Sequence, residues 1–142
     1  MDAASVGNTD VIAEAIRSGI PVDQLDENGC SALMYATQYE KSDAAQQLIG
    51  LGAKVNLATA QGVTPLMMAA ANGNTEVVRT LITAGSDVNA RDEEGWTPLS
   101  FAAYNGAMEV ARILMENGAN PTEALSVLPD AVRPNIGAIG DT

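Results

Sequence analysis

The sequence predicts an all-α solenoid of stacked helix–turn–helix units, and three observations predict it. The first is a constant interval of thirty-three residues, kept by Gly29, Gly62 and Gly95, by Leu33, Leu66 and Leu99, by Ala36, Ala69 and Ala102, and by Leu48, Leu81 and Leu114. A fixed period of this length marks an array in which each unit buries its apolar face on the next. The second is that each interval holds two short apolar helical patterns with their own start and stop signals. The third is the series Gly19, Gly52, Gly85 and Gly118, which carries the register of the helix-ending glycines into a fourth copy.

The stretch from Gly62 to Gly85 shows one unit most clearly. Thr64 is placed to cap a helix with its hydroxyl, and Pro65 stands at the first helical position, where no amide donor is needed. Leu66, Ala69 and Ala70 share one face, and Gly73 supplies the left-handed residue that ends the helix. Asn74 or Thr75 caps the second helix. Its apolar stripe is Val77, Val78, Leu81 and Ile82, and Gly85 closes it. Neither helix is long enough to persist alone, so the unit must pack on neighbours.

Thr64-Pro65-Leu66, Thr97-Pro98-Leu99, Glu76-Val77-Val78 and Gly85-Ser86-Asp87-Val88-Asn89-Ala90 together resemble the ankyrin repeat. That resemblance covers roughly Ala3 to Pro121. It implies an ankyrin-repeat solenoid whose loops pair into β-hairpin-like fingers, and it implies protein binding while leaving the partner open.

On this register the chain divides into a truncated repeat over 1–25, full repeats over 26–58 and 59–91, a fourth over 92–122, and a tail over 123–142. In the first, Gly7 matches Gly73, Val11 matches Val77, and Val22-Asp23 matches Val88-Asn89. The second departs most from the pattern: Ser31-Ala32 replaces Thr-Pro, and Glu40 stands where the others have glycine, which costs on the order of 1 kcal/mol in a left-handed turn. This repeat is expected to fray first. The fourth ends at Asn117-Gly118-Ala119-Asn120, and Pro121 blocks continuation of its last helix. In the tail, Glu123 to Leu128 has room for a helical turn, while Pro129, Pro134, Gly137 and Gly140 mark irregular chain. Two readings fit it. Leu125, Val127, Leu128, Val132 and Ile136 cover the last helix pair, or the segment is a linker.

Composition narrows the function. The chain has 142 residues, and only 4 % of them are aromatic, which suits close packing of small residues on helices. No apolar run approaches the eighteen or so residues of a membrane span. The start, Met1-Asp2-Ala3-Ala4-Ser5, has neither a basic segment nor an apolar core, so it is not read as a secretory signal. The expected location is the cytoplasm, with the periplasm or export as the alternative if a signal has been removed. A single cysteine, Cys30, forbids an intrachain disulfide. A formal charge of −11 argues against nucleic acid and anionic membranes, both polyanions, as partners. The charge is explained either by solubility or by a partner with a basic surface.

Catalysis is not expected. There is no histidine, so no Ser-His-Asp or Cys-His system exists, and one cysteine leaves no usual zinc constellation. No phosphate-cradling glycine cluster occurs, and no cofactor is expected. Histidine, which the family carries after Thr-Pro-Leu, is replaced by Met34, Met67 and Ser100, so the hydrogen bonds it makes there must be missing or replaced. Met34, Met67 and Met68 are expected in the core as flexible gap-fillers. Tyr35 and Phe101, at a position where the family packs leucine, are expected in the core as well.

The resemblance implies a binding strip along the finger tips and the concave face of the first helices. Its non-framework positions include Ser5, Val6 and Leu25 at the amino end, then Glu27, Gln38 and Tyr39, then Gln61, Val63, Ala71 and Asn72, then Arg91, Glu93, Glu94, Trp96, Tyr104 and Asn105. Trp96 stands out, because a lone tryptophan on a finger has the chemistry of a binding hot spot; its alternative is packing against the neighbouring finger. Tyr104 is close enough in sequence to share a pocket with it. Asp23, Asp26 and Glu27 crowd one finger and Asp92, Glu93 and Glu94 another, so a partner with basic groups around an apolar centre is expected. The protein alone is expected to be a monomer. It is read as a free-standing regulator or inhibitor of a partner enzyme, or as the recognition segment of a larger protein. Asn56 and Asn89 resemble asparagines that are hydroxylated in some ankyrin proteins, against a purely structural role in the turn.

Overall fold

Three helix pairs and a lone seventh helix stack in sequence in the computed structural model, which describes residues 17–128. The pairs are α1 (Ala32–Gln38) with α2 (Ser42–Gly50), α3 (Pro65–Asn72) with α4 (Thr75–Thr83), and α5 (Pro98–Tyr104) with α6 (Met108–Glu116). Helix α7 (Pro121–Ser126) follows. The first helices pack in one row, α1 on α3 on α5 on α7, and the second helices in another, α2 on α4 on α6. No helix among the described residues is long and apolar enough to cross a membrane.

Helices α1, α3 and α5 each start on a capping box. The hydroxyls of Ser31, Thr64 and Thr97 accept the amides of Met34, Met67 and Ser100 at 3.3, 3.3 and 3.2 Å. The reciprocal bonds replace those of the absent histidine: the amides of Ser31 and Thr64 donate to the Met34 and Met67 sulfurs at 3.3 and 3.4 Å, and that of Thr97 to Ser100 Oγ at 3.1 Å. Pro65 and Pro98 open their helices, and Asn74, rather than Thr75, caps α4 through its side chain. The turn into each second helix is left-handed at Glu40 (φ 59°), Gly73 (φ 72°) and Gly106 (φ 72°). In every copy the amide just beyond reaches back into the preceding helix, as Lys41 to Ala36 at 2.8 Å and Ala107 to Ala102 at 2.8 Å. Glu40 therefore holds the conformation for which the other copies use glycine.

The core follows the thirty-three-residue register. Leu33, Leu66, Leu99, Leu48, Leu81 and Leu114 are buried, and Ala36, Ala69 and Ala102 let the first helices approach closely. Truncating one such leucine to alanine costs about 2–5 kcal/mol. Met34 and Met67 lie in this interior as expected. Met68, Tyr35 and Phe101, which share one register position, are only half-buried, with Tyr35 and Phe101 packed against the core from its edge.

The fingers close as hairpin turns, with no regular strand among the described residues. The amides of Asp26, Thr59 and Asp92 donate to the carbonyls of Cys30, Val63 and Trp96 at 3.0, 2.9 and 2.9 Å. The side chains of the same three residues complete the loops: Asp26 Oδ1 accepts from Asn28 and Cys30, Thr59 Oγ1 from Val63, and Asp92 Oδ1 from Glu94 and Trp96. Two fingers touch where the Glu93 amide donates to the Gln61 carbonyl at 2.9 Å. A Cβ on Gly62 would lie 3.0 Å from Asp92 Cα, so this close approach requires glycine.

A second set of bonds stitches successive repeats. Asn56 Nδ2 donates to the Gly85 carbonyl at 3.2 Å while its Oδ1 accepts the Asp87 amide at 2.7 Å. Asn89 does the same with Gly118 and Asn120, at 3.0 and 2.7 Å. Asp23, one period earlier, accepts the Lys54 amide at 2.8 Å but as a carboxylate has nothing to donate.

Pro121 does more than end the fourth repeat. It is the first residue of α7, with Asn120 Oδ1 accepting the Thr122 amide at 2.9 Å, so the helix begins two residues before the tail read from the sequence. This short helix covers α5: Ala124 and Leu128 are buried, and Ser100 Oγ donates to the Ala124 carbonyl at 3.3 Å. Val132 and Ile136, proposed above as cap residues, and Ser5 and Val6 of the binding strip, lie outside the described residues.

Candidate functional site: an aromatic-ended groove on the first helices

The row of first helices presents register positions 35/68/101, 38/71/104 and 39/72/105 to one side, together with finger position 63/96. Between α1, α3 and α5 these positions form a shallow groove of about 320 Å³, walled chiefly by Val63, Met68, Ala71 and Phe101, with Gln38 and Asn72 supplying polar edges. Apolar lining with a few polar groups at the rim is the composition of a recognition surface.

An aromatic group stands at each end. At one end Trp96 meets Phe101, ring centres 5.2 Å apart, and Tyr104 edge-to-face at 5.4 Å. Trp96 is half-buried, its ring against Phe101 and Tyr104 of α5, while Tyr104 is 53 % exposed. Phe101 belongs both to this cluster and to the groove wall, which makes the two continuous. At the other end Tyr39, 51 % exposed, stacks on Tyr35 with centres 6.5 Å apart and planes 7° from parallel. Gln38, the neighbour of Tyr39 in the chain, lines the groove.

The remaining strip residues divide by what they touch. Asn72 Nδ2 donates to the carbonyls of Thr37 and Gln38 at 3.3 and 3.0 Å, which fastens α3 to the end of α1. Asn105, its counterpart, turns inward to its own helix and donates to the Phe101 carbonyl at 2.9 Å. Glu27, Gln61, Arg91, Glu93 and Glu94 are exposed on the fingers, outside the groove wall. Asp26 and Asp92, counted above among acids facing a partner, are instead committed to their own loops, and Asp23 to the Lys54 amide. The Tyr35 hydroxyl donates to Asp26 Oδ2, which lowers the Asp26 pKa and raises that of Tyr35. This bond to the finger carboxylate accounts for Tyr35, expected in the core, reaching the surface.

Met68 and Phe101 are the wall residues that reasoning from the sequence assigned to the interior. The signal was present: Tyr35, Met68 and Phe101 recur at the repeat period, and a large residue repeated next to a row of buried alanines must project past them.

A family model for ankyrin repeats, in three copies, matches residues 41–124. The chain belongs to the ankyrin-repeat family. Repeats of this kind are generally protein–protein interaction modules and typically non-enzymatic. No curated protein matches the chain.

Proposed function

We propose that this protein is a non-enzymatic binding module that takes a partner protein along the groove and finger loops, and that it acts as a regulator or inhibitor of a partner enzyme. The observation that carries the reading is the continuity of the surface. Apolar wall, half-buried tryptophan and two exposed tyrosines lie along the row of first helices, and the two tyrosines are no part of the buried core. Trp and Tyr anchors surrounded by polar rim residues are where binding energy concentrates. Exposed Glu93 and Glu94 beside the Trp96 end favour a basic partner, chiefly through faster association that salt suppresses. Asn56 and Asn89 need no modification to account for them, since each bridges two repeats with both ends of its amide.

The test is capture from native lysate with the wild type beside Trp96→Ala/Tyr104→Ala, quantified by mass spectrometry. A protein retained by the wild type and lost by the variant supports the reading. Equal retention by both rejects this surface.

A further inference from the structure

Resting on the concave-face reading, we propose that the groove takes an extended segment of about seven residues that carries an arginine at each end and an apolar residue between them. The spacing comes from the stack. Tyr39 and Tyr104 sit at the ends of α1 and α5, two helix-to-helix steps apart, or about 16–20 Å at the usual 8–10 Å per step. Six extended residue steps of about 3.3 Å cover that distance.

The volume favours an extended chain. A helix is about 10–12 Å across. The groove, at about 320 Å³, accepts a side chain or two and leaves the backbone of the occupant on the rim. The apolar wall of Met68, Ala71 and Phe101 selects a central aliphatic residue, and methionine adapts to its shape.

The ends select the charge. Each offers an exposed tyrosine held by a second ring, so its orientation is set before binding: Tyr39 precedes the turn of exposed Glu40, and Tyr104 meets Trp96 of the finger that carries exposed Glu93 and Glu94. Glu27 and Glu40 belong to the repeat of Tyr39, and Glu93 and Glu94 to that of Tyr104. The cations of these two repeats are half-buried Lys41 and exposed Lys54 and Arg112, the last paired with Glu109, so acids outnumber bases in both repeats. A guanidinium stacks on an aromatic face and keeps its edge free for a carboxylate, which an ammonium does less well.

Fluorescence anisotropy with a labelled seven-residue peptide, arginine at both ends and leucine at the centre, tests this on the full chain. Saturable binding is expected. Replacing either peptide arginine by glutamine, or making Tyr39→Ala or Tyr104→Ala, should weaken it about two- to fivefold, the range of an exposed cation–aromatic contact. Lysine in place of arginine should retain part of the affinity. The proposal is overturned if the peptide does not bind, if the glutamine peptides bind equally, or if a helix-forming peptide with arginines at matched spacing binds more tightly. Lysate capture that still depends on Trp96 and Tyr104 would then leave the concave-face reading intact and remove only the extended, doubly basic occupant.

Discussion

The Tyr35 hydroxyl donates to the Asp26 carboxylate, so the first described finger is fastened to the helix that follows it by a side-chain bond. The bond needs a protonated phenol and an ionised acid. It holds Asp26 below its ordinary 3.8 and Tyr35 above its ordinary 10.0. For the depressed acid, the stabilisation is present above pH 3.8 and is lost as pH falls through the folded value; for the raised phenol, it is present below pH 10.0 and is lost as pH rises through the folded value. Stability curves of the wild type and Tyr35→Phe should therefore differ across the intervening plateau and converge at both extremes. A constant offset at every pH would deny the bond its role.

Glu40 occupies a left-handed turn that the other repeats give to glycine. Glu40→Gly should raise unfolding stability by about 0.5–1 kcal/mol in urea titration. The same strain makes this repeat the first expected to open, so native-state amide exchange should be faster in α1 and α2 than in α3 to α6. Slower exchange there than elsewhere would remove the argument.

The bridging asparagines make a graded set. Asn89→Asp keeps the acceptor for the Asn120 amide and loses the donor to the Gly118 carbonyl, and should cost about 1 kcal/mol. The reciprocal change, Asp23→Asn, restores a donor to the first rung and should stabilise by about 0.5–1 kcal/mol. Thermal denaturation of the two variants with the wild type measures both signs at once.

Ser100 takes a position that methionine fills in the two preceding repeats, and its hydroxyl lies against the carbonyl of Ala124 in α7. Ser100→Met forces a larger side chain into a fully buried site and should cost about 1–3 kcal/mol. The α7 amides should lose exchange protection before those of α5. If they remain as protected as in the wild type, α7 is held by Ala124 and Leu128 packing alone.

Much of the fold was legible because the repeat period carries caps, stops and core positions together. Thr64, Pro65, Gly73 and Gly85 specify their turns by local chemistry, and the same spacing places the buried leucines. What escaped was decided by neighbours in space. Whether Phe101 faces the interior or the groove depends on how closely Ala69 and Ala102 let α3 and α5 approach, which no local pattern states. The acids misled for a related reason: Asp26 and Asp92 look like surface charge in sequence, yet loop geometry turns their carboxylates onto backbone amides. Trp96 and Tyr104 were recognisable as candidates by residue type, and their meeting required the hairpin to fold back on α5. Pro121 was legible as a stop but not as a start, since α7 arrives without the finger that announces the other first helices.

The asparagine seam reads only main chain. At each complete rung the side chain addresses one carbonyl and one amide of the next copy, Gly85 and Asp87 or Gly118 and Asn120, and ignores the side chains those residues carry. A copy that keeps the asparagine and the turn therefore joins any other copy, whatever its surface displays. Duplication, deletion or exchange of a unit leaves the joint unchanged while replacing the rings and charges along the groove, so the array can change what it recognises without relearning how to stack.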